Sequence, residues 1–463
     1  MRAIFSNLGF VMQFAGVLMV IPIVASFVLG ETTAALALFI TSSAFLILGF
    51  FLNSLCERKD LGFKESSALI VLVFIVLGVI GAFPYFYLNI FNGDLWQRIT
   101  DSFFESISGY TTTGFSLIKD FALVPKSIIL YRALTQFIGG IGIVLVLLIF
   151  FYPEEKLKNF SRSMGFSSEN NRIKKTFIIL LLTYCFYTIV LTTLMFFMGY
   201  KEIINSLSFI FSSVSTGGFS PINDITSVAK TIPLGWILIA GMVIGASNFL
   251  VLAKLIKFKL KEFFISEISV FILFAAVFSY FIKTFFSLPL FDSIFHTVSA
   301  MSTTGFSYIN LASMPDSLKI LFVFMMFIGG ASFSTAGGIK FYRLFLIFKA
   351  LGDSIRTMIS GEEKPLVLFG REYSGEDVLA AMVIILLYIV LIAGSAYVFL
   401  WSGFSLTDSI FEVTSAISTS GLSVGIANAS LAIGLKWILI SLMILGRVEI
   451  IAFLIILSPV RER

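Results

Sequence analysis

The 463-residue chain is 58% hydrophobic and only 13% charged, with 54 Phe, a net charge of +5 and a mean hydropathy of +1.01. Soluble globular domains carry roughly 25% charged residues, so the composition describes a polytopic membrane protein rather than a soluble enzyme or a nucleic-acid-binding domain. Two cysteines, Cys56 and Cys185, offer neither a disulfide framework nor a thiolate cluster, and a single histidine, His296, excludes a His-based zinc site.

At about 20 apolar residues per crossing, ten full spans are expected, near 4–29, 33–54, 67–91, 128–152, 176–199, 232–255, 265–287, 317–348, 377–401 and 435–458. Arg2 opens an apolar run to about Gly30 without a small-residue cleavage pattern, which reads as a retained helix and not a removed signal peptide. The first two spans form an N-terminal helix pair, residues 1–60. The other eight pair off around four copies of one short polar segment. This gives repeats at 61–165, 166–262, 263–372 and 373–463, each running span, short pore helix, loop, return span.

The four copies share one register. Asp101, Asn205, Asp292 and Asp408 are each followed 13 residues later by glycine, at Gly114, Gly218, Gly305 and Gly421, across a stretch dominated by Ser, Thr and Gly. Such residues are also routine where transmembrane helices pack closely, and a single copy would be read that way. Four copies in register are read as a filter, because internal repeats weigh more than isolated motifs. Non-helical backbone at membrane depth is tolerated only where it is buried or lines water, and converging loops can present carbonyl rings that replace a cation's hydration shell. Glycine supplies the backbone conformation that turns carbonyls inward. His296 stands at the fourth residue after Asp292, the place of Glu105 and Glu412 in two other copies, so a polar contact near a pore helix is expected of it.

Basic residues set the orientation. One side receives Arg2, Arg58, Lys59 and Lys64, the 156–175 and 254–261 clusters, six residues between Lys340 and Arg371, and Arg461 and Arg463, together 22 of the 32 Lys and Arg. The positive-inside rule places that side, with both termini, in the cytoplasm, and the four loops then dip in from outside. All repeats have one orientation, unlike the inverted repeats frequent in rocking carriers.

In the third return span, Gly329, Gly330, Ser334, Thr335, Gly337 and Gly338 lie within one small-residue stretch. Each Gly in a helix costs roughly 1 kcal/mol relative to Ala, so a continuous helix is not expected; close helix packing is the other reading. Arg447 falls inside the last span, where a charge costs at least about 2.5–3.5 kcal/mol and must face water, a carboxylate or backbone carbonyls. Glu449 is its nearest acid, but residues two apart do not share a helix face.

These loops, with FIGGIGIVLV at Phe137–Val146, FIGGASFSTAGGIK at Phe327–Lys340 and LGRVEI at Leu445–Ile450, resemble the Trk/Ktr/HKT superfamily of potassium transport proteins, most closely its Trk-type branch. The likeness covers residues 66–463, and the extra N-terminal pair is similar to that of the same branch. The resemblance implies an all-α membrane fold with pseudo-fourfold symmetry around a central pore. It implies potassium as the transported ion, coordinated by carbonyls of Thr112 and Thr113, Thr216 and Gly217, Thr303 and Thr304, and Thr419 and Ser420, with Gly114, Gly218, Gly305 and Gly421 as signature glycines. It further implies an intramembrane gating loop across 329–338 with Arg447 against it. The implied partners are a TrkA-like, RCK-type nucleotide-binding subunit in the cytoplasm, a second copy of the chain and the lipid bilayer of a prokaryotic inner membrane.

The chain departs from the pattern at Leu422, where the other loops have Phe, and at Asn205 and Phe209, where pore-helix acids are expected; these bear on asymmetry and selectivity. One signature glycine per loop and no TVGYG predict a short cage with weaker potassium-over-sodium discrimination. No Gly-rich dinucleotide fingerprint occurs, so no organic cofactor is expected in this chain and nucleotide sensing is assigned to the partner. A sodium-coupled symporter on the same scaffold is the alternative. No nucleophile–base pair or metal cluster supports an enzyme.

Overall fold

The computed structural model of the chain describes residues 2–55, 61–150, 173–256, 266–361, 365–369 and 371–457. Outside them lie Cys56, the expected repeat boundaries at 60, 165 and 262, the far ends of the spans expected to reach 152 and 458, and Arg58, Lys59, Lys156, Lys158, Arg162, Arg172, Lys257, Lys259, Lys261, Lys364, Arg461 and Arg463 of the orienting basic residues.

Among the described residues the fold is helical apart from one short hairpin, and six helices are long and apolar enough to cross a membrane. These are Ala3–Val28 and Thr32–Leu55, the N-terminal pair, and Lys64–Tyr87, Ile179–Phe197, Glu267–Phe286 and Gly375–Trp401, the opening span of each repeat. The return segments behave differently. The first is unbroken over Lys126–Phe150, whereas the others split into Ile232–Ala246 and Phe249–Ile256, Asp316–Ile328 and Phe341–Ser360, and Ile433–Val448 and Ile450–Leu457.

Two of those interruptions correct the sequence reading, which took 232–255 and 435–458 as continuous. Hydropathy cannot register them because both sides of each break are apolar. The second return helix stops because the carbonyls of Gly245 and Ala246 accept from Thr335 N (3.0 Å) and Ala331 N (2.9 Å) of the third repeat, while Phe249 N donates to Phe333 O (3.3 Å). The two broken segments thereby satisfy each other's backbone, the condition for irregular chain inside a membrane. The fourth breaks at Glu449, which adopts φ +64° and binds Arg343 Nη2 through Oε2 at 2.6 Å. A two-stranded hairpin, Leu366–Leu368 against Arg371–Tyr373, also departs from a wholly α fold, and the expected boundary at 372/373 falls inside its second strand.

The N-terminal pair crosses at close range. A Cβ on Gly9 would lie 2.5 Å from Gly49 O, and one on Gly49 would lie 2.7 Å from Gly9 O. The turn joining the pair carries Glu31, whose carboxylate accepts from Lys126 N (2.8 Å), Ser127 N (3.0 Å) and Ser127 Oγ (2.5 Å). An acid at a helix N-terminus satisfies unpaired amides and complements the helix dipole, so this contact docks the pair onto the first return helix.

The pore helices, Leu95–Tyr110, Ile203–Val214, Leu290–Met301 and Leu406–Ile417, have 12 to 16 residues and are too short to cross. Beyond each loop the chain turns back through the same device: Asp120, Asp224, Asn310 and Asn428 accept from the amides of Ala122, Thr226, Ala312 and Ser430 at 2.8–3.1 Å. Side-chain bonds to an amide two residues on favour turns over helix or strand.

Candidate ion pathway

Each pore helix ends in the same hydrogen-bonded cap. Thr112, Thr216, Thr303 and Thr419 take left-handed conformations, φ +49° to +54°. Their amides donate to Gly109, Ser213, Ala300 and Ala416 O at 2.9–3.1 Å, and the next amides, of Thr113, Gly217, Thr304 and Ser420, donate to Ser108, Ser212, Ser299 and Ser415 O at 2.7–3.0 Å. This is a Schellman cap with threonine where glycine or asparagine is usual. A left-handed β-branched residue is an outlier. Its occurrence four times in one register marks a site that over-determines its backbone. Sequence spacing points to the glycines, but nothing in it signals left-handed threonines.

The loops close into a ring. A Cβ on Gly114 would fall 2.1 Å from Gly217 O, on Gly218 1.9 Å from Thr304 O, on Gly305 2.0 Å from Ser420 O, and on Gly421 2.0 Å from Thr113 O. Each signature glycine thus abuts the carbonyl of the residue before the signature glycine in the next repeat, and the fourth returns to the first. Any side chain at these four positions meets backbone.

Behind the ring, three pore helices brace their loops at one position. Glu105 accepts from Leu117 N (2.9 Å), Glu412 from Val424 N (3.0 Å) and His296 Nε2 from Tyr308 N (3.4 Å), each twelve residues on, while His296 Nδ1 donates to Asp292 O (2.8 Å). In the second repeat Phe209 cannot accept, and the twelfth residue on is Pro221, which has no N–H. Acceptor and donor are missing together, so Phe209 leaves no amide orphaned. Arg132, fully buried, binds Glu105 at 2.8 Å and reaches across to Ser220 O at 3.2 Å, with its guanidinium 4.1 Å from the Phe219 ring centroid.

Between repeats, Lys436 binds Asp101 at 2.5 Å and Lys319 binds Asp408 at 2.7 Å, each lysine three residues into a return helix and each acid on the next pore helix around the ring. The matching place in the first return helix is Ile129, which leads round to Asn205; the charge is lost from both members of that pair at once. Asn205 donates instead to Glu202 at 2.5 Å, and Asp292, with Gly235 at the corresponding place, accepts from Tyr308 Oη at 2.8 Å. The lysines, Arg132 and Gln136, which donates to Gly217 O at 2.5 Å, escape a reading based on hydropathy and motif. Charges inside expected spans, the signal that singles out Arg447, could have exposed Arg132, Lys319 and Lys436, and paired replacement such as Asn205 with Ile129 the lysine–acid pairs; no sequence signal marks Gln136.

Directly under the ring lies the segment from Gly329 to Lys340, which touches all four repeats. Thr335 Oγ1 donates to Val214 O (3.1 Å) and Gly245 O (3.0 Å) of the second, Gly337 N donates to Thr303 Oγ1 (2.7 Å) of the third, and a Cβ on Gly337 would meet Ser418 O of the fourth at 2.0 Å. Arg447 Nη1 donates to Thr335 O (2.6 Å) and Nη2 to Gly139 O (2.8 Å) of the first. Gly329, Phe333, Gly338 and Lys340 have positive φ, Ser334 Oγ donates to Ala331 O (2.5 Å), and Gly330 O accepts from Phe341 N (3.1 Å). Glu267 on the opening span accepts from Ser332 N at 2.8 Å. Glu449 pairs with Arg343 rather than with Arg447.

Fold and site together define a polytopic membrane protein with four pore-loop repeats arranged about one axis. The chain belongs to the TrkH family of cation transport proteins, whose pattern matches residues 34–278 and 287–461. An uncharacterised cation transporter of Methanocaldococcus jannaschii is 29% identical over 97% of this chain and 94% of its own length. The Trk system potassium uptake protein TrkH of Escherichia coli K12 is 26% identical over 87% of both chains, and that of Halomonas elongata 26% over 99% and 98%. The crystal structure of the potassium transporter TrkH from Vibrio parahaemolyticus matches with a TM-score of 0.84 over 99% of this chain and 98% of that one, at 24% identity, a likeness of fold.

Proposed function

We propose that the chain takes up potassium across the cytoplasmic membrane of a prokaryote through a channel-like pore, with both termini in the cytoplasm. The observation that carries this reading is the closed ring of contacts from Gly114, Gly218, Gly305 and Gly421 to Gly217, Thr304, Ser420 and Thr113 O. Carbonyls of Thr112, Thr113, Thr216, Gly217, Thr303, Thr304, Thr419 and Ser420 replace the hydration shell of the ion, and selectivity follows from their number and field strength. The cage has one signature glycine per loop, so discrimination against sodium is moderate. The segment Gly329–Gly338 blocks the path below the ring when Arg447 holds it, and its displacement opens the pore. An RCK-type nucleotide-binding subunit at the cytoplasmic face of a homodimer drives that displacement.

Potassium uptake by the TrkH proteins of Escherichia coli and Halomonas elongata and the contacts of the Gly329–Lys340 segment with every repeat support the reading. The test is potassium and sodium flux from purified protein in liposomes, with and without an imposed sodium gradient. Passive potassium flux that ignores the sodium gradient is the expected result. Potassium uptake that requires inward sodium would replace the pore with a symporter.

A further inference from the structure

Gln136, on the first return helix, is fully buried, and its amide spans the second loop. Nε2 donates to Gly217 O at 2.5 Å and Oε1 accepts from Phe219 N at 3.1 Å, so the carboxamide grips the chain on both sides of Gly218. The second contact fixes the amide's orientation, since only its oxygen accepts from an N–H. Gly217 O is also one of the four ring carbonyls, the one abutted by Gly114.

The other repeats are built differently at both ends of this contact. Gln136 lies three residues before Gly139, where a Cβ would meet Tyr110 O at the end of the first pore helix. The glycines that approach the second and fourth pore-helix ends in the same way, Gly245 against Val214 O and Gly446 against Ile417 O, are preceded at that distance by Met242 and Met443, and the aligned Gly329 by Met326. A thioether cannot donate. On the loop side, the residue before the signature glycine is Thr113, Thr304 or Ser420, and only here glycine. Thr113 is anchored through its hydroxyl to Thr111 Oγ1 (2.8 Å) and Thr304 through its hydroxyl to Ser302 Oγ (2.7 Å). Gly217 has no hydroxyl, and a Cβ there would lie 2.4 Å from Gln136 Cδ, so the two residues require each other.

We infer that Gln136 is the positioning residue of the second filter loop and a determinant of ion selectivity, an inference that rests on the loops being the filter. A peptide next to glycine rotates more freely than one next to threonine. A carbonyl oxygen has two lone pairs: the amide of Gln136 occupies one and aims the oxygen, leaving the other for a cation. The first and third loops reach the same end through a hydroxyl that leaves the carbonyl untouched, so the ring is chemically asymmetric at Gly217.

The experiment measures the potassium-to-sodium permeability ratio in liposomes together with thermal unfolding of the same preparations. Q136M releases the Gly217 peptide and lowers the ratio several-fold, and G217T lowers it too because the new side chain collides with Gln136. The double variant Q136M/G217T reproduces the Met242 and Thr304 combination found between the second return helix and the third loop and restores the ratio, an outcome a merely structural glutamine would not give. A wild-type ratio in Q136M, or a folded double variant with a ratio no better than the singles, overturns the assignment. Should Q136M not fold, the double variant alone decides in the same terms. Gly305→Ser in parallel separates the two levels: if it degrades the ratio while Q136M does not, only the role of Gln136 falls, and if it too leaves the ratio unchanged, the filter reading falls with it.

Discussion

Arg447 of the fourth repeat and Thr335 of the third are joined by a guanidinium-to-carbonyl hydrogen bond of 2.6 Å in the interior of the protein. The same guanidinium reaches Gly139 O at 2.8 Å, so one charge ties the segment under the ring to the first and fourth return helices. Hydrogen bonds to charged groups contribute about 1.5–3 kcal/mol, and each 1.4 kcal/mol is about tenfold in an equilibrium. Arg447→Gln is expected to raise basal potassium flux by roughly tenfold or somewhat more. Flux per folded molecule and thermal stability, read on one preparation, check it: lower stability with unchanged flux would make Arg447 a structural counter-ion and end its gating role.

Shortening the segment between Gly329 and Gly338 removes the contacts of Thr335 with Val214 and Gly245 and of Gly337 with Thr303. Basal flux should rise, because these contacts hold the proposed obstruction in place below the ring. A folded deletion with unaltered or abolished flux would identify the stretch as packing.

Gly305→Ser places a Cβ 2.0 Å from Ser420 O at a φ of +85°. Backbone of the neighbouring loop has to move, and a left-handed non-glycine residue adds about 1–2 kcal/mol. The expected outcome is a folded protein with a reduced potassium-to-sodium permeability ratio. Gly30, with no atom within 4 Å of its Cβ position, is the control: its substitution should leave the ratio alone.

The Lys436–Asp101 pair is wholly buried, at 0% and 1% exposure. Removing one partner of a buried pair costs about 3–5 kcal/mol, whereas replacing both by apolar groups is often neutral. Lys436→Met should therefore lower thermal stability in detergent strongly, and the Asp101→Leu/Lys436→Met double variant should recover most of it. Equal losses in the single and double variants would show that the pair is not the source of the stability.

Much of the architecture was legible because it rests on length and repetition. Ten apolar stretches, four polar insertions at one spacing and a Gly-rich patch inside the eighth stretch are one-dimensional signals. The breaks at Ser247 and Glu449 were not legible, because each depends on groups far along the chain: Thr335 and Ala331 take the carbonyls of Gly245 and Ala246, and Arg343 takes the carboxylate of Glu449. Asn205 and Phe209, which looked like defects of the pattern, gain their explanation from Ile129 and Pro221, and only packing shows which positions face each other.

The sequence by itself determined that the protein crosses a membrane, that it repeats fourfold with one orientation, and where the signature glycines fall, since burying apolar spans in lipid and turning a backbone without a Cβ are local requirements. The tertiary structure alone decided that each glycine meets the carbonyl of the next repeat, that threonines carry the left-handed turn, and that Gln136, Arg132, Lys319 and Lys436 hold the loops in place. Those are relations between segments up to 335 residues apart, and they exist only once the helices have packed and every buried donor has had to find its acceptor.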